Sequence, residues 1–109
     1  MRLLKLLWQL LRLLPAEPLD SSPVAWPASL PPMDGTPGLA ARAERVRRRC
    51  LRRFVRRYDG LPLTATQRSN AVTVWELIAS ETDPRFWLQF ACDDAELHFV
   101  LSKLLKRRH

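Results

Sequence analysis

The chain of 109 residues has few of the residues on which most enzyme sites depend, with three glycines, two cysteines and two histidines. Three glycines do not provide a glycine-rich phosphate-binding loop. His98 and His109 stand alone, without a second histidine or cysteine at the spacing of metal ligands. No serine has histidine and aspartate partners nearby. We therefore expect a non-enzymatic protein with no catalytic residue, no metal and no cofactor.

The scarcity of cysteine argues against one class of small protein. Secreted domains of this size usually depend on a dense cysteine framework. Cys50 and Cys92 instead each lie within an apolar helical pattern. Buried free thiols are the expected state, with a disulfide between the two as the alternative.

The chain also lacks an apolar run long enough to cross a membrane. Residues 1–14 are apolar apart from four polar residues, and Pro15 ends the run. A transmembrane helix needs roughly 20 residues at 1.5 Å per residue, so this segment is too short. On a helix the polar residues form one narrow stripe, which consists of Arg2, Lys5, Gln9 and Arg12.

A basic amphipathic helix at residues 1–14 has several interpretations. Its basic pattern without acids fits a mitochondrial presequence, which predicts a mitochondrial protein. A helix lying on an anionic membrane fits as well, with Trp8 and the leucines buried and Arg2, Lys5 and Arg12 facing headgroups. Arg12 disfavours a secretory signal, and a helix that docks on the following domain is the remaining alternative. Without a presequence, we expect a membrane-associated or nuclear location.

Proline is concentrated in one segment. Residues 15–38 contain seven of the nine prolines. This composition predicts an extended, semi-rigid linker with little capacity to fold alone. We expect it to be a flexible tether between the N-terminal helix and a domain formed by residues 39–109.

Positive charge is concentrated just after this linker. The net charge is +7, and the chain has fifteen arginines but three lysines. The apolar residues between the arginines recur at spacings of three and four, which predicts an amphipathic helix from Leu39 to Tyr58 that stops before Gly60. One acid, Glu44, accompanies nine arginines in this region: Arg42, Arg45, Arg47, Arg48, Arg49, Arg52, Arg53, Arg56 and Arg57.

The arginine guanidinium is a planar fork of donors that pairs with carboxylate or phosphate through two hydrogen bonds. We therefore predict that these nine arginines bind a partner. The partner is either an acidic protein surface or the phosphates of RNA or DNA. The simpler alternative is a solvated helix face whose arginine content reflects a genome rich in arginine codons.

Signals for helix starts predict three further helices after Gly60, the first of them from Ala65 to about Ser80. The pairs that carry these signals are Thr64 with Gln67, Asp83 with Pro84, and Asp93 with Glu96. The aromatic residues among them are expected to form the core, namely Trp75, Phe86, Trp87, Phe90 and Phe99. The predicted fold is all-α, a small three- to four-helix bundle preceded by the amphipathic N-terminal helix and the proline-rich linker.

Several short motifs follow one another in an order that resembles the order of motifs in a known family. They are Tyr58-Asp59-x-Leu61, Trp75, Ile78-Ala79, Asp83-Pro84-x-Phe86-Trp87, and Asp94-Ala95-Glu96-Leu97 with Val100 and Leu104. The family is the SdhE-like FAD assembly factor of succinate dehydrogenase. Its signature on the first helix is Arg-Arg-Gly-x-x-Glu, where this chain has Arg48-Arg49-Cys50-Leu51-Arg52-Arg53. Only Arg48 and Arg49 match that signature.

The resemblance implies a small helical protein that holds a flavoprotein subunit while it accepts its flavin. The leading hypothesis is thus an assembly factor or chaperone for a partner enzyme subunit, acting through the arginine-rich helix. The first alternative is a regulatory protein that binds RNA or DNA through that helix. The second is an accessory protein at an anionic membrane surface.

Overall fold

The computed structural model describes residues 17–90 and 97–107. Within these ranges the chain forms four helices and no strand, which confirms the predicted all-α fold. The helices are α1 (Pro37–Arg56), α2 (Ala65–Ala79), α3 (Pro84–Leu88) and α4 (Leu97–Arg107). No helix in the described part of the chain combines the length and the apolar character needed to cross a bilayer.

Local sequence signals explain where the helices begin. Pro37 occupies the first turn of α1, so this helix starts two residues before the predicted Leu39. Thr64 and Gln67 form the predicted capping box of α2, with a hydrogen bond of 3.1 Å from the Gln67 amide to Thr64 Oγ1. Asp83 caps α3 by accepting a hydrogen bond of 3.0 Å from the Arg85 amide.

The ends of the first two helices also lie close to the predicted positions. α1 ends at Arg56, and a turn over residues 57–60 follows it. Gly60 has a positive φ of 71°, the left-handed conformation that favours glycine at a helix end. α2 ends at Ala79, one residue before the predicted boundary.

The core lies between α1 and the other three helices, all of which pack against it. The centre is Trp87, which is fully buried and donates from its indole nitrogen to the carbonyl oxygen of Glu81 at 2.8 Å. Four of the five predicted core aromatics are buried, but Phe99 is 56% exposed on α4. The prediction for Phe99 was wrong because the apolar stripe of α4 is formed by Leu97, Val100 and Leu104.

The segment before α1 does not behave as the flexible tether that its prolines predicted. Residues 17–36, which we call the strap, form no helix and are bound to the helices. Asp20 and Leu63 exchange two backbone hydrogen bonds of 2.9 and 3.0 Å, and the Asp34 amide donates to the Thr82 carbonyl oxygen at 3.0 Å. Trp26 packs with ring centroids 5.8 Å from both Phe54 and Tyr58.

Arg68 of α2 also binds the N-terminal end of the strap. Its Nη2 donates to the carbonyl oxygens of Asp20 at 2.5 Å and Ser22 at 2.6 Å. Glu17 accepts hydrogen bonds from the side chain and the amide of Thr66, and these bonds lower the pKa of the Glu17 carboxyl. The polar start of α2 and the apolar side of α1 together keep the strap in place.

Several predictions concern residues outside the described ranges. These are the amphipathic helix of residues 1–14 with Arg2, Lys5, Trp8 and Arg12, the second capping box of Asp93 and Glu96, and the state of Cys92. Each stays a prediction.

Candidate anionic-partner interface

The candidate site is the solvent-facing side of α1. Seven of the nine predicted arginines are exposed there, and Arg53 is half-buried. The exposed side chains recur every three or four residues, so they form one continuous surface along the helix. We call this surface the arginine face, which consists of Arg42, Arg45, Arg48, Arg49, Arg52, Arg56 and Arg57.

Arg47 does not belong to this face, and its prediction as a partner-binding residue was wrong. Its side chain is 1% exposed. It donates from Nη1 to the Ala79 carbonyl oxygen at 2.8 Å and from Nη2 to the Pro31 carbonyl oxygen at 2.7 Å, and it forms an ion pair with Glu44. Arg47 therefore joins α1 to the end of α2 and to the strap, because its fork reaches acceptors on both.

Glu44 also limits the availability of Arg48. Arg48 Nε lies 2.9 Å from Glu44 Oε1, although the arginine side chain is 62% exposed. Only the arginine end of the pair is exposed, because the Glu44 side chain is 23% exposed and its Oε1 is buried. A partner that binds Arg48 therefore competes with Glu44, which keeps its ion pair with Arg47.

A groove of about 650 Å³ runs beside the arginine face. Its first wall is α1, which supplies five of the exposed arginines: Arg45, Arg48, Arg49, Arg52 and Arg56. α1 also contributes Leu51 and Val55, which are more buried than these arginines and which we call the floor. The remaining lining residues are apolar and come from the strap and α2; we call them the apolar wall, which consists of Pro27, Ala28, Leu30 and Trp75. The groove exists because the strap is held against the bundle.

The electrostatics of the groove favour an anion. Among the described residues that line it, the charged ones are all arginines. The groove is lined by five guanidinium groups, and none of its lining residues carries a negative charge that would offset them. The local electrostatic potential is therefore positive. An occupant with both carboxylates and apolar side chains satisfies both walls at once.

The described residues contain neither a metal-binding cluster nor a cysteine of low pKa. No cluster of three His, Cys, Asp or Glu residues that could hold a metal ion occurs in residues 17–90 and 97–107. Cys50 faces the core, and burial raises the pKa of its thiol to about 11, with nearby Arg53 opposing that shift. A thiol with so high a pKa is a poor nucleophile.

Sequence reasoning missed the strap side of the groove. Pro27 and Leu30 lie in the segment that was predicted to be a linker, and Trp75 was assigned to the core alone. A signal was present, because the proline-rich stretch contains the large apolar residues Trp26, Leu30 and Met33, which a solvated tether would leave in water. All three are half-buried and pack against the core.

No protein-family model, curated protein or solved structure matches the chain. The resemblance to the FAD assembly factor family therefore stays a prediction.

Proposed function

We propose that this chain is a small non-enzymatic binding protein that holds an acidic partner protein on the arginine face. The observation that supports this most is the groove, in which one wall carries five arginines and the other is apolar. Protein interfaces combine an apolar centre with charged groups at its edge, and arginine is enriched in them. A phosphate backbone has no apolar surface to place on Pro27, Leu30 and Trp75.

The proposal agrees with the assembly-factor hypothesis. A chaperone for an enzyme subunit needs a surface that recognises a folded or folding chain, and it needs no chemistry of its own. Arg48 and Arg49, the two residues that match the family signature, both line the groove. An acidic flavoprotein subunit is accordingly the first partner to test.

Nucleic acid is the second candidate, and the length of the arginine face favours it. The arginine face runs from Arg42 to Arg57, which corresponds to about 22 Å at 1.5 Å per residue. Arg42 and Arg57 extend the positive surface beyond both ends of the groove. A basic helix of this length suits a groove of structured RNA or DNA.

A salt series with defined probes separates the two functions. The full chain is titrated with an acidic peptide that also carries leucines, with a mixed-sequence RNA of about 20 nucleotides, and with duplex DNA. Binding to nucleic acid falls with salt with a slope of roughly −0.7 to −0.9 per phosphate contact. The proposal expects peptide binding that persists near physiological salt because apolar contacts are not screened. Submicromolar RNA or DNA binding without peptide binding would make nucleic acid the partner.

A further inference from the structure

The groove has two unlike walls, and this asymmetry restricts what fits it. All five groove arginines belong to α1, whereas the apolar wall and the floor carry no charge. An occupant therefore needs an acidic edge beside α1 and an apolar face directed at Leu30, Val55 and Trp75. A molecule with evenly distributed charge would leave either the arginines or the apolar wall without a complement.

The basic N-terminal segment of this chain does not supply the occupant. Residues 1–14 carry Arg2, Lys5 and Arg12 and no acid, so they repel the arginine wall. A second copy of the chain also brings a net charge of +7. Its described acids are largely engaged already, with Glu44 bound to two arginines and both Glu81 and Asp83 paired with Arg107.

The spacing of the groove arginines matches a helix. Arg45, Arg49, Arg52 and Arg56 follow one another at intervals of four, three and four residues, so they cover about 16 Å along α1. A helix lying alongside α1 presents carboxylates at the same intervals on one edge. A helix also satisfies its own backbone hydrogen bonds, so its apolar face can cover the floor without leaving polar backbone groups unpaired.

We infer that the groove binds an amphipathic helix of the partner protein, with acids at i, i+4, i+7 and i+11 beside α1 and apolar side chains on Val55, Leu30 and Trp75. This inference rests on the proposed function and adds the form of the ligand. The mode is a helix in a groove, in which apolar anchors supply affinity and flanking charges set the orientation.

The test uses the full chain and labelled peptides of about 16 residues. The first peptide has leucines on one helical face and glutamates at the four matching positions. The second has the same composition with the glutamates scattered around the helix. A third replaces a central residue of the first by proline, which breaks the helix. Fluorescence anisotropy near physiological salt gives the Kd of each.

Two pairs of chain variants provide matched controls. Arg49→Glu with Arg52→Glu reverses two charges in the groove, and Arg42→Glu with Arg57→Glu makes the same change outside it. Ala28→Glu places a carboxylate on the exposed apolar wall, and Ala25→Glu places one on the strap away from the groove. All these positions are exposed, so circular dichroism should show unchanged helix content.

The patterned peptide should bind at least about tenfold more tightly than the scrambled or proline peptide. The groove changes at Arg49 and Arg52, and at Ala28, should each weaken its binding by about tenfold. The matched changes should weaken it by less than about threefold, because a partner in the groove is farther from those charges.

Three outcomes would overturn the inference. Equal binding of the patterned and scrambled peptides, with equal loss in both arginine pairs, would show a general acidic contact and leave the proposed function intact. No binding of any acidic peptide would overturn the inference and the proposed function together. The groove substitutions could also weaken binding of RNA, or of phosphatidylcholine vesicles containing phosphatidylserine, and leave peptide binding unchanged. The occupant would then be nucleic acid in the first case and lipid in the second.

Discussion

Arg47 donates a hydrogen bond of 2.8 Å from Nη1 to the carbonyl oxygen of Ala79, which lies 32 residues later in the chain. The same guanidinium reaches the carbonyl oxygen of Pro31 in the strap at 2.7 Å and pairs with Glu44. One buried side chain thus fixes the relative positions of α1, the end of α2 and the strap. Those three elements are the ones that form the groove.

Replacing Arg47 by methionine should destabilise the fold. The substitution fills a similar volume but leaves the buried carbonyl oxygen of Ala79 and the partly buried one of Pro31 without their donor. The expected loss is about 2–4 kcal/mol in the free energy of unfolding, measured by urea denaturation. Lysine should not restore the loss, because its ammonium does not have the planar fork that serves two acceptors on different elements.

Arg42→Met is the matched control for that experiment. Arg42 lies on the same helix but is exposed, so its replacement should change the free energy of unfolding by no more than about 0.5 kcal/mol. Equal decreases in the free energy of unfolding for the two variants would show that the buried contacts of Arg47 do not stabilise the fold. Arg47 would then again be a candidate partner-binding residue.

Removing the indole of Trp26 should release the middle of the strap. Trp26 contacts Phe54 edge-on at 5.8 Å between ring centroids and lies equally close to Tyr58. Trp26→Ala should lower the free energy of unfolding by about 2 kcal/mol, less than for a fully buried tryptophan. Limited proteolysis should then cut within residues 17–36 faster than in the parent chain. Leu19→Ala, at a residue that is 65% exposed, should leave both measurements unchanged.

The helices could be predicted from the sequence because their signals are local. The Thr64 and Gln67 capping box, the proline at the start of α3 and the periodic apolar residues of α1 each act within a few residues. The roles of Arg47 and the strap could not be predicted in this way. Arg47 is one arginine among nine in the sequence, and its burial depends on acceptors that come from distant segments. The apolar half of the candidate site was missed for the same reason.

The capping box of α2 should have a measurable effect on stability. Thr64 accepts from the Gln67 amide, and the Gln67 side chain accepts from the Thr64 amide at 2.9 Å. Thr64→Ala should cost about 1 kcal/mol in thermal or urea unfolding. Thr73→Ala is a suitable control, since Thr73 is exposed in the middle of α2. A smaller loss for Thr64→Ala than for Thr73→Ala would contradict the prediction.

Cys50 should make stability depend on pH in the alkaline range. Burial raises the pKa of its thiol from the ordinary 9.0 to about 11. Between these values the unfolded chain loses the thiol proton and the folded chain keeps it, so the free energy of unfolding falls as pH rises. A Cys50→Ala variant lacks this contribution. The difference in stability between the two proteins should therefore change between about pH 9 and pH 11 and stay constant below pH 8.

Alkylation offers an independent measurement of the same thiol. In a Cys92→Ser background, Cys50 should react with iodoacetamide at pH 8 far more slowly than free cysteine, because little thiolate is present and the side chain is buried. Rapid labelling of the folded protein would show that the thiol is accessible and ionised. Unfolding in urea should restore the ordinary rate.

Exchanging the groove arginines for lysine tests whether the arginine face recognises shape or charge alone. A variant with lysine at Arg45, Arg49, Arg52 and Arg56 changes four of the five groove arginines, so the net charge of +7 is unchanged and four planar forks are lost. Lysine has nearly the same helix propensity as arginine, so α1 should persist. Affinity for the acidic helical peptide should fall by about tenfold, with the salt dependence of binding unchanged.

Lysine at Arg42 and Arg57 is the control, with an expected change below about threefold. If the four-lysine variant bound as tightly as the parent chain, the contact would depend on charge without bidentate pairing. The arginine bias would then reflect the codon usage of the genome. If only the four-lysine variant lost affinity for the peptide, recognition would require arginine, because the substitution keeps the charge and removes only the planar forks beside the apolar wall.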